Sequence, residues 1–145
     1  MKRILVIGDA HLEQGQDISR FKALGNRINS TKPDCVVIIG DFLTLDSLSA
    51  WDKNKRKRME NRRYKLEIDV GNRALDLLQP KKKGIKLIYL EGNHEDRLTR
   101  YVEDLPELAD QLDVRTDLSL ADRGWEWVPY KTDWMCNGVS FTHVP

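Results

Sequence analysis

Residues 92–95, with the sequence Gly-Asn-His-Glu, are the part of this chain best suited to chemistry. They follow directly on the apolar run at residues 85–90, which has the length and composition of a buried strand. The amide, the imidazole and the carboxylate can bind a metal ion or carry a proton. Because open α/β sheets bind their ligands at the carboxyl ends of their strands, the stretch predicts a functional site at that edge of a sheet.

Two earlier apolar runs end in the same way. Residues 4–7 lead into a Gly-Asp pair that contains Asp9 and is followed by His11, and residues 36–39 lead into a second pair that contains Asp41. A single Gly-Asp pair after a strand is most often an ordinary turn. Three such endings at matching positions, two of which carry a histidine, predict one common site. Every histidine of the chain follows an apolar run: His11, His94 and His143.

The elements that must position these residues alternate between strands and helices. Apolar residues three to four positions apart predict a helix over residues 17–30, with Asp17 as its N-cap. The next strand completes a strand-helix-strand crossover, which is typical of parallel sheets. A long helix is predicted from Asn54 or Met59 to Gln79, because its apolar residues keep a helical spacing up to a proline.

The remaining elements complete a layered fold. Residues 41–51 are too irregular for a helix or a strand, and we expect them to form a loop that walls the site. Asn137 and Gly138 lie between two short apolar runs and predict a final β-hairpin with a type I′ turn. The sequence therefore predicts an α/β fold with a mainly parallel central sheet, helices that flank it, and a hairpin at the end.

The composition is that of one globular domain. A chain of 145 residues forms a single domain by length, which we place at residues 1–145. No apolar run approaches the roughly 20 residues that span a bilayer, so no membrane contact is expected. Cys35 and Cys136 lack the paired spacing of a zinc site or a disulfide framework, and we expect both to be small hydrophobic residues. A reducing, cytoplasmic setting is the default expectation.

Charge is unevenly distributed along the chain. The stretch between Lys53 and Lys65 contains eight basic residues and one acid, a net charge of +7. Because the whole chain has a net charge of +1, the remainder carries −6. The simplest interpretation is a solvated helix surface. The alternative is contact with the phosphates of a nucleic acid or with another acidic partner.

The three strand-end motifs and the later histidine resemble, in order and context, the successive motifs of the calcineurin-like metallophosphoesterases. This resemblance implies that Asp9 and His11 bind a first divalent metal ion. Asn93 and His143 bind a second, and Asp41 bridges the two. A hydroxide that bridges the ions would attack phosphorus. Carboxylate, imidazole and amide ligands suit Mn²⁺, the metal expected, with Fe, Zn²⁺ and Ni²⁺ as alternatives.

The resemblance gives the last two residues of the third motif other roles. His94 would face the leaving oxygen, where it donates a proton or stabilises negative charge. For Glu95 we expect a surface salt bridge or support of the ligands rather than direct chemistry.

Two departures from the family pattern narrow the prediction. Where the family's protein serine/threonine phosphatases have phosphate-gripping arginines, this chain has residues 44–46 and Glu91. This departure argues against that branch and favours diesterases, nucleases or nucleotidases. The family also continues beyond the motif of His143 to another strand and a Gly-His-x-His element. We therefore expect a truncated or split form that a C-terminal segment or a separate chain completes.

The function predicted from the sequence is metal-dependent hydrolysis of phosphate mono- or diesters, which include nucleotides and nucleic acids. The alternative is an inactive or incomplete fragment that binds nucleic acid or another partner through the basic stretch. Hydrolysis of a generic phosphodiester, with and without Mn²⁺, separates the two.

Overall fold

The computed structural model of the chain describes residues 2–144. Its strands are β1 (Ile4–Ile7), β2 (Cys35–Ile38), β3 (Lys86–Leu90), β4 (Trp125–Val128), β5 (Trp134–Cys136) and β6 (Val139–Phe141). Its α-helices are α1 (Ser19–Thr31), α2 (Arg56–Met59), α3 (Tyr64–Leu78), α4 (Asp96–Asp104) and α5 (Val114–Asp117). Three short 3₁₀ helices lie at Asp46–Leu48, Ala50–Asp52 and Pro106–Leu108.

The first four strands form one parallel sheet in the order β1-β2-β3-β4. In the register of the sheet, Val36 of β2 lies between Leu5 of β1 and Leu87 of β3. Parallel strands end at the same edge of a sheet, so the residues that follow β1, β2 and β3 meet there. The predicted α/β fold with a parallel sheet is confirmed.

One face of the sheet carries the main hydrophobic core, which α1 and α3 cover. Phe21 and Ile28 of α1 are fully buried with Leu75 and Leu78 of α3. The two helices approach closely at Gly25, where an added Cβ would collide with the backbone of α3. These helices fix the sheet and thereby the edge that carries the site.

The opposite face of the sheet is covered in part by the hairpin of β5 and β6. Trp134 and Phe141 pack against a smaller buried cluster from the sheet. Asn137 and Gly138 have φ values of 51° and 79°, as the predicted type I′ turn requires. The predicted final hairpin is confirmed.

The long helix predicted from Asn54 or Met59 to Gln79 is wrong at its start. The structure has the separate short helix α2, and α3 begins only at Tyr64. The chain turns between them, because Asn61 adopts a left-handed φ of 62° and the Gln14 side chain bonds both the Asn61 carbonyl and the Arg63 N–H. A tertiary contact thus interrupts a stretch whose local pattern favours one continuous helix.

The first helix is also shorter at its start than predicted. It begins at Ser19, with Ile18 rather than Asp17 in the N-cap position. Asp17 still contributes, because its Oδ1 accepts the Ser19 N–H at 2.9 Å. The Asp17 carboxylate therefore accepts an N–H of the first helical turn, although Asp17 lies one residue before the N-cap position.

Two expectations from the composition concern the cysteines and membrane-spanning helices. Cys35 is buried and Cys136 is partly buried, and both are free thiols, as expected. Within residues 2–144, no helix combines the length and the apolar character that a membrane crossing requires. The cytoplasmic setting stays a prediction.

Candidate metal centre

The loops that follow β1 and β2 continue the pairing of these strands beyond the sheet. His11 N–H donates to the Asp41 carbonyl at 2.9 Å, and Leu12 N–H donates to the Phe42 carbonyl at 2.9 Å. His11 and Asp41 both adopt a left-handed φ of 46°, which is unusual for residues with a Cβ and is typical of functional sites. These bonds hold the imidazole of His11 beside the carboxylate of Asp41.

Two glycines allow the three loops of the site to approach one another. Gly40 has a φ of 100°, and a Cβ there would lie 2.9 Å from the Gly92 Cα and collide with the His143 ring. A Cβ on Gly92 would collide with the backbone N and the carboxylate of Asp41. Gly8, in the first motif, has no atom within 4 Å of such a Cβ. The glycine is therefore sterically required in the second and third motifs and not in the first.

Asp41 is the buried centre of the site, with an exposed fraction of 4%. Its Oδ2 lies 3.7 Å from Nε2 of His11 and 3.9 Å from Nε2 of His94. Its Oδ1 lies 3.5 Å from Nε2 of His143 and accepts the His94 backbone N–H at 2.9 Å. The two carboxylate oxygens thus face different histidines.

The remaining predicted site residues join this centre through His143. Nε2 of His143 lies 2.9 Å from Oδ1 of Asn93, and Nδ1 lies 3.9 Å from Oδ1 of Asp9. The structure therefore brings all six site residues predicted from the sequence into one connected cluster. Their roles as metal ligands or proton carriers remain proposals.

Two histidines direct their Nδ1 atoms at backbone carbonyls. Nδ1 of His143 lies 2.7 Å from the Ile39 carbonyl, and Nδ1 of His94 lies 2.7 Å from the Thr44 carbonyl. A carbonyl only accepts, so each Nδ1 carries a hydrogen, and in the neutral form of such a ring Nε2 has a lone pair. Metal-bound histidines are held by the same kind of bond.

The Nε2 atom of His143 faces the side-chain amide oxygen Oδ1 of Asn93 and the carboxylate oxygen Oδ1 of Asp41. None of these three atoms can donate a hydrogen to another when the ring is neutral. A cation between them satisfies all three. His11, Asp41 and His94 form a second group whose ligand atoms lie within 4.8 Å of one another. The donor set therefore fits divalent metal ions.

His94 lies between the metal-type ligands and an arginine that sequence reasoning missed. Burial lowers the pKa of His94 below its ordinary value, which keeps the ring neutral near pH 7. Arg97 donates to the Thr44 carbonyl at 2.9 Å and to Oδ1 of Asp46 at 3.1 Å, and its Nη2 lies 3.3 Å from Nε2 of His94. The sequence signal was its position three residues after His94, one turn into the following helix.

Glu95 is not a surface residue, and the expected surface salt bridge is wrong. The side chain is 1% exposed, and its carboxylate accepts the backbone N–H groups of Asp41, Leu43 and Gly92 at 2.9–3.0 Å. It also accepts the hydroxyl of Tyr89 at 3.0 Å. Burial raises the pKa of the Glu95 carboxyl to about 7, while the N–H donors favour its charged form. Glu95 therefore supports the ligand loops, the alternative role expected from the sequence.

A second buried carboxylate fixes the loop that walls the site. Glu67 of α3 is fully buried and accepts the Asp46 N–H at 2.7 Å, the Ser47 N–H at 3.4 Å and the Ser47 hydroxyl. Burial raises the pKa of the Glu67 carboxyl. Since Asp46 in turn binds Arg97, α3 helps to position the arginine beside the site. The spacing of apolar residues in α3 indicates which face of the helix is buried. It does not indicate that Glu67 binds the backbone of a distant loop.

Comparisons with known proteins identify the family of the chain. A family model described as calcineurin-like phosphoesterase matches residues 2–143. The Gene 54 protein of Mycobacterium phage D29 is 33% identical over 114 residues, which cover 76% of this chain and 44% of that protein. The Gene 54 protein of Mycobacterium phage L5 is 33% identical over 101 residues, which cover 70% of this chain and 39% of that protein. The chain thus spans less than half the length of these relatives.

The family match covers nearly the whole chain and includes every motif at the carboxyl edge of the sheet. It confirms the resemblance that the motifs indicated. The protein therefore belongs to the calcineurin-like phosphoesterase family, a family of metal-dependent phosphoesterases.

Proposed function

We propose that the chain hydrolyses phosphate mono- or diesters with two divalent metal ions held at the carboxyl edge of the sheet. Family membership supports hydrolysis of a phosphoester. The observation that carries the dinuclear proposal is the convergence of three acceptor atoms, from His143, Asn93 and Asp41, beside a second group of ligands around His11. Imidazole, carboxylate and amide atoms that converge in this way are the ligand types that divalent ions bind.

The ligands divide into two sets around a shared carboxylate. Asp9 and His11 are assigned to the first ion, and Asn93 and His143 to the second. Asp41 is the bridging ligand, which its geometry supports because Oδ2 faces His11 and Oδ1 faces His143. Mn²⁺ is the proposed metal, and Fe, Zn²⁺ and Ni²⁺ suit the same ligands. Bound ions would neutralise the phosphate charge and lower the pKa of a water molecule to give a nucleophile at neutral pH.

His94 acts on the leaving group in this proposal. Its Nδ1 carries a hydrogen to the Thr44 carbonyl, so only Nε2 is available to the leaving oxygen, and it would donate there only from a ring protonated on both nitrogens. Arg97 brings a permanent positive charge next to that nitrogen and restrains the ring. Glu95 binds the backbone of both Asp41 and Gly92, so it holds the second and third loops at a fixed separation.

Metal content measured on single variants tests the assignment. Asp41→Ala is expected to lose both ions because its carboxylate serves both sets, whereas Asn93→Ala mainly weakens the second. Asp69→Ala, which removes an exposed carboxylate from α3, is the matched control and keeps both ions. Elemental analysis gives the metal content, and hydrolysis of bis(p-nitrophenyl) phosphate with and without Mn²⁺ gives the activity. Equal metal content in the wild type and Asp41→Ala would refute the proposal.

A further inference from the structure

We propose that Trp51 and residues 53–65, called here the basic rim, form a docking surface for single-stranded nucleic acid. This inference rests on the proposed phosphoesterase function and names its substrate class. The bound strand would be cleaved at a phosphodiester that lies in the metal centre. Three features of the structure carry the inference: an exposed tryptophan, a dense positive charge beside it, and direct contacts between this segment and the loops of the site.

Trp51 is the most exposed of the large hydrophobic side chains described, at 86%. It lies in the 3₁₀ helix Ala50–Asp52, which follows the helix Asp46–Leu48 that Glu67 fixes beside the site. A tryptophan held in water loses the free energy of burial that its large apolar surface would give. An indole on a well-anchored turn offers a flat surface on which a nucleobase can stack.

A dense positive charge follows this indole directly in the sequence. Lys53, Lys57 and Arg63 are exposed, and residues 53–65 carry a net charge of +7 on a chain whose remainder carries −6. Asp52, next to Trp51, binds Lys55 at 3.1 Å and Arg58 at 3.4 Å. These ion pairs hold α2 against the turn that carries the tryptophan. An aromatic side chain within a cationic surface is the combination that binds single strands, through stacking and through phosphate contacts.

The basic rim is attached to the metal centre on two sides. On one side Gln14, in the loop after His11, donates to the Asn61 carbonyl at 2.8 Å and accepts the Arg63 N–H at 3.2 Å. On the other side, Arg62 and Arg97 share one carboxylate. Arg62 lies 3.9 Å from Oδ2 of Asp46, and Arg97 lies 3.1 Å from Oδ1 of the same side chain.

Arg62 and Arg97, which Asp46 bridges, connect the rim to the site. Arg97 is 3.3 Å from Nε2 of His94, which in turn is 3.9 Å from Oδ2 of Asp41. A polyanion that follows the basic residues is therefore led to the metal ligands. The several basic residues of the rim can contact several phosphates at once, which suits a long, repeatedly charged substrate.

Single strands are favoured over duplexes by the tryptophan. Bases in a duplex are stacked on one another and are not accessible to Trp51, whereas the bases of a single strand are. A contact with phosphates alone would not distinguish the two. The inferred substrate is therefore a single-stranded nucleic acid, or a single-stranded end or gap in a longer one.

Binding is measured with a fluorescent oligothymidylate of roughly 20 nucleotides, longer than a typical single-strand site, by anisotropy in the presence of a chelator that prevents cleavage. Affinity should fall as salt rises from about 50 to about 200 mM. The logarithm of the association constant, plotted against the logarithm of the salt concentration, should have a slope of about −0.7 for each contacted phosphate. A duplex of the same length should bind more weakly than the single strand.

Three variants separate stacking, rim charge and overall charge. Trp51→Ala should weaken binding by roughly 5- to 150-fold, the range for loss of one stacked base, without changing the salt slope. The triple variant Lys53→Gln, Lys57→Gln, Arg63→Gln should flatten the slope by about 2, because three phosphate contacts are lost. The matched control removes the same charge at the opposite edge of the sheet, where the exposed loop before β3 carries Lys81, Lys82 and Lys83, each changed to Gln. The control should bind like the wild type.

Hydrolysis of bis(p-nitrophenyl) phosphate distinguishes a failure of this inference from a failure of the proposed function. The rim variants should hydrolyse this small ester at the wild-type rate while their kcat/KM on the oligonucleotide falls. If the small ester is not hydrolysed but the strand binds as expected, the phosphoesterase function fails and the docking surface stands. The docking surface is refuted if the control triple variant loses as much affinity as the rim variant. Binding of polyglutamate or of duplex as tightly as the single strand, with no effect of Trp51→Ala, would also overturn it.

Discussion

Oε2 of Glu95 accepts the backbone N–H of Asp41 at 3.0 Å, although 54 residues separate them in sequence. The same carboxylate binds the backbone of Leu43 and of Gly92, so one buried side chain joins the loop after β2 to the loop after β3. Asp41 carries the central carboxylate of the site and Gly92 begins the motif that supplies Asn93 and His94. The spacing of the predicted ligands therefore depends on Glu95.

Glu95→Ala should destabilise the protein and weaken its metal binding. Removal of the carboxylate leaves three buried N–H groups without an acceptor, and each costs about 1–3 kcal/mol unless water replaces it. The free energy of unfolding, measured with urea in a chelator, should fall by about 3 kcal/mol or more. Glu103→Ala, at an exposed position of α4, is the control and should change it by less than about 0.5 kcal/mol. A Glu95→Ala protein as stable as this control would contradict the role of the carboxylate.

The glycines of the first and third motifs should respond differently to alanine. Gly92→Ala puts a methyl group against the Asp41 backbone and carboxylate, so it should cost about 3 kcal/mol, the upper part of the range for overpacking, together with metal binding. Gly8→Ala meets no atom within 4 Å and should leave stability unchanged or raise it by up to about 1 kcal/mol. Thermal unfolding and metal content of the two variants check this difference. Similar losses in both would show that the close approach at Gly92 is not what requires its glycine.

His94→Ala distinguishes a leaving-group residue from a ligand. If His94 serves the leaving oxygen, turnover of the small diester should fall by about 10²–10⁴-fold, the range for general acid–base groups, with metal content unchanged. The grouping of His94 with His11 and Asp41 also permits a metal-binding role. Loss of an ion from His94→Ala, with both ions retained in the exposed control Thr99→Ala, would reverse the assignment.

The buried carboxyl of Glu67 should make stability depend on pH. Burial raises its pKa in the folded protein above the ordinary value of 4.5, so the folded state binds more protons than the unfolded state in the window just above pH 4.5. The free energy of unfolding should therefore fall as the pH rises through this window. Glu67→Gln is uncharged at every pH, keeps an acceptor for Asp46 N–H, and should show a smaller fall.

The measurement is urea unfolding in a chelator, in half-unit steps upward from pH 4.5. Asp69→Asn, at an exposed position of the same helix, is the control and should run parallel to the wild type. Since other carboxyls titrate in both proteins, the difference between Glu67→Gln and the wild type isolates this group. Parallel curves for those two proteins would exclude a raised pKa at Glu67.

The sequence by itself determined the class of fold and the position of the candidate site. Short apolar runs that end in Gly-Asp or Gly-Asn are local signals, and parallel pairing brings the ends of such strands to one edge whatever their separation along the chain. Asp9, His11, Asp41, Asn93, His94 and His143 could therefore be predicted as neighbours. The final hairpin was equally predictable, because its turn residues are chosen by local backbone geometry.

Other features depended on contacts between distant residues, which local patterns do not contain. The helix predicted over the basic stretch is interrupted because Gln14 binds the turn at Asn61. Glu95 and Glu67 read as ordinary charged residues, yet each is buried by elements from another part of the chain and finds its backbone donors there.

Arg97 also combines a feature that the sequence shows with one that only the tertiary structure determines. Its type and its place after His94 were visible, but the sequence could not tell that Asp46 and the Thr44 carbonyl would direct it toward the imidazole. Strand-end chemistry is specified by residue order and by the geometry of parallel sheets. The hydrogen bonds that fix the loops form only when the fold brings their partners together, and so the tertiary structure alone decided them.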